Sequence, residues 1–595
     1  MSIHSDRLAA LRQHLKAEGL DGFVVPLTDE HMSEYVGSYA QRLGWLTGFE
    51  GSAGSAAVLE TQAAIFTDGR YTLQVRQQVD GADWSFESVP ESSPASWLAA
   101  KASAGARIGY DPWLHRGDWV KTTREALKAK GAELVAVASN PLDAVWEERP
   151  QPSKAALIVH PERLAGRSSA DKRQAVADWL GGKGADAAVL AALDSIAWTF
   201  NLRGSDVART PVGLAFALVH SDGTADLFVE GEKVTAELRQ HLGNGVRLHE
   251  RAEFERKLGE LGGKTVAVDP ERSVAAISEA LEKAGAKIIA LRDPTVLPRA
   301  TKNETEVAGH RAAQTRDGAV MVKFLKWVGE HENELDELKA SARLEELRRE
   351  DPTLKDLSFD SISAFGANAA SPHYHSTEKS NVPFQPGSLY LIDSGGQYED
   401  GTTDITRTVA VGEPTQEMRE RFTRVLQGHI AIDTAVFPRG TRGGQLDSFA
   451  RRPLWEAGLD YAHGTGHGVG SFLSVHEGPQ RIAPVGGAYA GGDEPLAEGM
   501  ILSNEPGYYK AGEYGIRIEN LVLVVRKEAP GAEKELLGFE TLTFAPIDRR
   551  LIVSEMLSPA ERRWVDAYHA EVVRRIGPGL GAEERAWLEQ QCAPL

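Results

Sequence analysis

Two short stretches constrain this 595-residue chain more than any other feature, because they repeat one pattern. Trp45-Leu-Thr-Gly-Phe49-Glu-Gly51-Ser52 and Trp198-Thr-Phe-Asn-Leu202-Arg-Gly204-Ser205 both read W-x-x-x-[F/L]-x-G-S, offset by 153 residues. A lone match of this kind arises readily by chance, but the flanks repeat as well. A helical segment (6–18; 170–180) leads into an apolar strand-like run (22–26; 187–192). After the shared pattern come two more strand-like stretches (55–59 with 63–67; 214–219 with 225–229) and an amphipathic helix (72–79; 234–242). Strand and helix patterns alternating in this order predict α/β units around a mixed sheet, built twice.

One hydrophobic core rarely grows past about 250–300 residues, so two to four domains are expected. Pro150-Gln-Pro152 punctuates the junction between the two copies, and a second boundary falls near Pro294-Thr-Val-Leu-Pro298. The predicted domains are therefore 1–150, 151–298 and 299–595. Just past the second boundary, Asn303 with Glu306 resembles a helix N-cap and its reciprocal partner. The chain to Glu350 is helix-rich, with Val320, Phe324, Leu325 and Val328 spaced as one core-facing stripe. After Asp360 it turns β-rich with many glycines, and the tail from Ala560 is again helical and charged.

Composition narrows the function. With 66 Lys and Arg against 85 Asp and Glu, the formal net charge is −19, which disfavours nucleic acid or an acidic lipid surface as the main partner. Cys592 is the single cysteine, so the chain has no internal disulfide and no Cys-rich zinc finger. The start lacks an apolar h-region and no uninterrupted apolar run approaches the ~18 residues of a membrane span, so no membrane partner and a cytoplasmic location are expected.

The third segment holds the residues that carry chemistry. Leu389–Asp393 and Thr403–Val409 alternate as strands around the turn Tyr398-Glu-Asp-Gly401, which can bring Asp393 and Asp404 together. Buried-looking acids of this kind demand a cation, a donor network or protonation. His463-Gly-Thr-Gly-His467-Gly-Val-Gly470 lets the backbone approach something closely, without the Gly-Lys-Ser/Thr ending of a phosphate loop. His476 follows. Glu505 lies in Asn504-Glu-Pro-Gly-Tyr-Tyr509, and Glu519 in a strand running from Tyr514 into a β-branched stretch, with Arg517 on the same face. Taken singly, the Asp pair reads more readily as solvated acids, and each histidine as a structural one, than as metal ligands. Together Asp393, Asp404, His467, Glu505 and Glu519 form an oxygen and nitrogen donor set without thiolate, suited to Mn²⁺, Co²⁺ or Zn²⁺. Four carboxylates against two divalent ions and one bridging hydroxide leave a net charge of about −1, so two ions suit the set better than one.

In this order, Ile392-Asp393-Ser-Gly-Gly, Thr403-Asp404-Ile-Thr-Arg, the His463–Gly470 string, Asn504-Glu505-Pro-Gly-Tyr-Tyr and Gly515-Ile-Arg-Ile-Glu519-Asn resemble the pita-bread metallopeptidases of the methionine aminopeptidase, prolidase and aminopeptidase P group. The likeness is greatest to the long aminopeptidase P form, and it includes Thr67-Asp-Gly-Arg-Tyr71 and Phe200-Asn-Leu-Arg-Gly-Ser-Asp206. The resemblance implies an α/β (α+β) chain with two similar creatinase-type domains before a pita-bread catalytic domain. It also implies two divalent ions, Mn²⁺ foremost, bridged by Asp404 and Glu519, with Asp393 completing one ion and His467 and Glu505 the other.

The implied reaction releases the first residue of peptides whose second residue is proline, by attack of a hydroxide held between the ions. Glu505 would accept and return the proton. The resemblance places His373 and His476 near the scissile bond, His463 beside the proline subsite, and Arg517 against the carboxylate ligands. His375 and Tyr509 stay outside the expected site. A homodimer is implied as well. The nearest alternative is prolidase, limited to Xaa-Pro dipeptides, against which the duplicated N-terminal region argues. A non-catalytic binding module is disfavoured because all five ligands are in place.

Overall fold

The computed structural model describes residues 2–486 and 491–595. They divide between Val296 and Leu297 into two compact units.

The first unit carries two six-stranded sheets of one topology. Strands β1 (Gly22–Pro26), β2 (Ser55–Leu59), β3 (Ala63–Thr67), β4 (Ser85–Ser88), β5 (Arg107–Tyr110) and β6 (Glu133–Ala136) lie in the order β4-β3-β2-β1-β5-β6. Strands β7 (Ala187–Leu190), β8 (Phe216–His220), β9 (Ala225–Phe228), β10 (Val246–His249), β11 (Thr265–Val268) and β12 (Lys287–Ala290) lie in the order β10-β9-β8-β7-β11-β12. In each sheet the first three strands in chain order pair antiparallel and every other pairing is parallel. The repeated tryptophans have a shared local cause. Each ends a short helix, Arg42–Thr47 and Leu193–Phe200, at a left-handed residue three places on, Gly48 (φ 83°) and Asn201 (φ 49°). Glycine and asparagine are the residues that take this conformation at least expense.

The first long helix of the second unit is Glu304–His331. The Asn303 side chain accepts from the Glu306 N–H and Glu306 accepts from the Asn303 N–H, both at 3.0 Å, which satisfies two of the helix's free donors. Val320, Phe324, Leu325 and Val328 are buried against the helix Glu337–Arg348 and the inner strands. Besides a small sheet of Leu354–Leu357, Gly396–Tyr398 and Gly401–Thr402, the strands that follow are β13 (Ile362–Phe365), β14 (Ser388–Ser394), β15 (Ile405–Val411), β16 (Val436–Pro438), β17 (Gly466–Gly468), β18 (Glu477–Ile482), β19 (Ile501–Asn504), β20 (Gly507–Lys510), β21 (Tyr514–Arg517), β22 (Asn520–Lys527) and β23 (Leu536–Thr541). They form a three-stranded antiparallel sheet β13-β14-β15, a six-stranded sheet β16-β23-β22-β19-β17-β18 and the hairpin β20-β21.

Two features depart from the pattern read in the sequence. The glycine-rich, β-rich part also contains the helices Gln416–Asp433 and Gly443–Trp455. The first was signalled by the Thr415 cap and by Met418, Phe422, Val425 and Leu426 at helical spacing. The expected continuous strand through Glu519 is also broken. β21 ends at Arg517, the Ile518 N–H donates to Pro506 O at 3.3 Å, the Glu519 N–H donates to Thr406 O at 3.2 Å, and β22 resumes against β19.

Candidate metal centre

Antiparallel register builds the site. In β13-β14-β15 Ile362 lies opposite Asp393, and Asp393 opposite Thr406, two residues beyond Asp404. Asn504 pairs with Asn520 across β19 and β22, so Glu505 and Glu519, just outside that pair, leave adjacent strands at one level. His467 sits in β17 next to β19. The glycine before it has a steric cause: a Cβ on Gly466 would collide with the Ser503 carbonyl oxygen. What the glycine-rich string approaches closely is therefore the neighbouring strand.

Three side chains converge fully. Ligand atoms of Asp404, His467 and Glu519, all buried, lie within 4.8 Å of one another. His467 Nε2 is 3.5 Å from Asp404 Oδ2 and 3.5 Å from Glu505 Oε1, which brings in a fourth. His467 Nδ1 pairs with Gly468 O at 2.8 Å, an arrangement that leaves the Nε2 lone pair toward the acids. Ser503 Oγ donates to Glu505 at 3.1 Å and accepts from the His467 N–H at 3.0 Å. Thr406 Oγ1 donates to Glu519 Oε2 at 2.7 Å. The fifth acid, Asp393, is tied to the group through Arg517, whose Nη2 donates to Asp393 Oδ2 at 2.6 Å and whose Nε donates to Thr406 Oγ1 at 3.2 Å.

Electrostatics mark the cluster as short of positive charge. Burial, then the charges of Asp393 and Glu505, push the Asp404 carboxyl well above its ordinary range. Burial, then Asp404, Asp393 and Glu505, do the same to Glu519. Glu505 is also raised, chiefly by burial. Asp393 Oδ1 is buried with no hydrogen-bond partner among the described residues. Crowded carboxylates, one of them with an unsatisfied oxygen, beside an imidazole and with no thiolate, fit hard or borderline divalent cations. The residues present thus suit the metal ions expected for them.

The other histidines singled out in the sequence differ in their placement. The His476 ring packs edge-on against the His467 ring, with centroids 4.4 Å apart. His463 Nδ1 pairs with Gly464 O, and His463 Nε2 pairs with Tyr509 Oη, each at 2.8 Å. His373 is half-buried on the segment after the short helix Gly366–Ala370, whereas His375 is exposed. Tyr509 belongs to the network although the sequence left it aside. Its hydroxyl accepts from Arg517 Nη1 at 2.7 Å and so links Asp393, through Arg517, to His463. Burial raises the Tyr509 hydroxyl to about 12, so it stays protonated and able to donate.

Comparison with known proteins finds likeness along the whole chain. Models of the creatinase/prolidase N-terminal domain match residues 7–145 and 148–306, that of metallopeptidase family M24 matches 308–526, and that of the C-terminal region of peptidase M24 matches 535–595. The chain is 40% identical over 617 residues to the probable Xaa-Pro aminopeptidase P of Paracoccidioides brasiliensis (strain Pb03), covering 99% of each. Its fold is similar to the crystal structure of X-prolyl aminopeptidase from Caenorhabditis elegans, described as a cytosolic enzyme with a di-nuclear active site, with a TM-score of 0.94, 32% identity and full coverage of both chains. Prolidase from Pyrococcus horikoshii OT3 is similar over 63% of this chain and 99% of its own, at a TM-score of 0.50 and 25% identity.

Proposed function

The chain belongs to metallopeptidase family M24, among its Xaa-Pro aminopeptidases, and is a metallo-exopeptidase; from that premise we propose that it frees the first residue of peptides with proline second, using a hydroxide held between two divalent ions. The observation that carries this reading is the convergence of Asp404, His467 and Glu519 within 4.8 Å, with Glu505 against His467. Ions held there by these residues and Asp393 would bring the pKa of a shared water toward neutrality and polarise the scissile carbonyl. Mn²⁺ is the ion we favour, ahead of Zn²⁺ and Co²⁺, for a set of carboxylates and one imidazole.

The chain's own residues supply the rest. Asp404 and Glu519 would be the ligands common to both ions, Asp393 would complete one, and His467 and Glu505 the other. Glu505, against His467, would take the nucleophile's proton and return it to the proline nitrogen, which as a tertiary amide carries no proton of its own. His476 and His373 donate to charge developing at the scissile bond, and His463, linked to Tyr509, borders the proline side. Arg517 holds Asp393 in place. No helix among the described residues is long and apolar enough to cross a membrane. We place the enzyme in the cytoplasm, as its C. elegans counterpart is described, and as a homodimer.

Full-length similarity to X-prolyl aminopeptidase, with 40% identity over 99% of both chains to a probable Xaa-Pro aminopeptidase P, favours the aminopeptidase over a dipeptidase. The experiment is hydrolysis of Ala-Pro and of Ala-Pro-Ala, before and after chelation and after return of Mn²⁺. Cleavage of the tripeptide, silenced by chelator and restored by Mn²⁺, is the expected result. Activity confined to the dipeptide would make it a prolidase, and full activity after complete chelation would overturn metal catalysis.

A further inference from the structure

The segment that carries His373 is held by one carboxylate from another element. Glu337, the first residue of the helix Glu337–Arg348, is fully buried. Its Oε1 accepts the Phe365 N–H at 2.7 Å and Asn368 Nδ2 at 3.0 Å, and its Oε2 accepts the Tyr374 hydroxyl at 2.8 Å and the Val382 N–H at 3.3 Å. These four donors bracket His373 in the chain: two stand before it, one is its neighbour, and one follows. Asn368 Nδ2 also reaches Ser380 O at 3.0 Å, so the loop is closed on itself as well as on Glu337.

The same loop is seated on the metal centre's framework. It leaves β13, whose Ile362 lies opposite Asp393, and a Cβ on Gly515 of β21 would collide with the Ala369 carbonyl oxygen, so the loop's first turn lies directly on the strand that ends in Arg517. A buried carboxylate that accepts two backbone N–H groups and two side-chain donors fixes a loop's position, because any shift leaves charge or donors unpaired in a dry interior. We infer that Glu337, acting through Tyr374, is a positioning residue that holds His373 at the scissile bond. This rests on the proposed role of His373.

Placement errors of about 1 Å at a reacting centre cost up to about 10²-fold in rate. Tyr374→Phe removes one donor and keeps the ring, so it should lower kcat on Ala-Pro-Ala by about tenfold, with KM within about twofold and both metal ions retained. Glu337→Gln, with an amide facing donors, should do the same or more, but could also fail to fold; Tyr374→Phe keeps the test open in that event. The deciding measurement is a double-mutant cycle on the metal-loaded, full-length enzyme. If Tyr374 works through His373, adding Tyr374→Phe to His373→Ala changes kcat no further. Losses that multiply in the double variant would overturn the anchor while leaving His373 its role. Wild-type kcat in His373→Ala alone would remove the residue on which the anchor acts, and the inference with it.

Discussion

Arg517 Nη2 donates to Asp393 Oδ2 at 2.6 Å, while Oδ1 of the same carboxylate is buried with no hydrogen-bond partner among the described residues. One oxygen is held, and the other suits the cation proposed for this site. The same planar guanidinium reaches Tyr509 Oη at 2.7 Å and Thr406 Oγ1 at 3.2 Å, and Thr406 in turn holds Glu519. A single side chain thus orients one acid directly and is linked through a hydroxyl to another, which is how ligand geometry is set from outside the coordination shell.

Arg517→Lys keeps the charge and loses the fork, since an ammonium on a flexible stem cannot serve three fixed acceptors in one plane. Metal affinity and kcat/KM should each fall by about 10–100-fold. Metal titration followed by steady-state kinetics measures both. Unchanged metal affinity would confine Arg517 to a structural part.

Proton and metal compete for the same acids. In chelated protein Asp404, Glu505 and Glu519 have folded-state pKa values above their unfolded ones. Such groups contribute stability that is fully present below the unfolded pKa, about 4, and is lost as pH rises through the raised folded values. Divalent ions remove that loss, because they favour the ionised acids and displace their protons. The gap in Tm between metal-loaded and chelated protein should therefore widen from pH 5 to pH 8. Thermal denaturation at matched ionic strength measures it, and a constant gap would contradict proton competition.

Much of this was legible because local patterns and tertiary roles coincide. The W-x-x-x-[F/L]-x-G-S repeat encodes a helix stop at a left-handed residue, and the matching flanks become two sheets of one strand order. Asp393 and Asp404 were readable from two alternating runs around a turn. Tyr509 was not, because its partners come from Arg517 and His463, and nothing in Tyr508-Tyr509 marks which ring meets them. The break at Ile518-Glu519 was hidden for a related reason: the alternation continues while the backbone exchanges one partner strand for another.

Tyr509→Phe tests that missed residue. It removes the hydroxyl between Arg517 and His463 and leaves the ring, so packing is preserved. His463 loses a partner on Nε2, and kcat/KM on Ala-Pro-Ala should drop by about tenfold with metal content unchanged. Kinetics alongside elemental analysis is the check. Loss of an ion would instead show that Tyr509 supports the ligands themselves.

Asp404 is also held from behind, at a site where stability and metal binding should fail together. Asp317 on the long helix receives Arg348 Nε at 2.8 Å and Nη2 at 3.1 Å, the Tyr398 hydroxyl at 2.8 Å and Thr403 Oγ1 at 3.1 Å, all of it buried. Thr403 precedes Asp404, so this network fixes the turn from which the ligand emerges. Arg348→Met would strip Asp317 of its counter-charge in the interior, a change that costs about 3–5 kcal/mol when one partner of a buried pair is lost. Replacing both partners with apolar residues should be far milder, because no charge is then left buried alone. Denaturant midpoints of the single and the Asp317→Leu/Arg348→Met double variant compare the two directly. The single variant should be the less stable and should bind metal more weakly; equal stability of the two would mean that Asp317 finds another partner when Arg348 is gone.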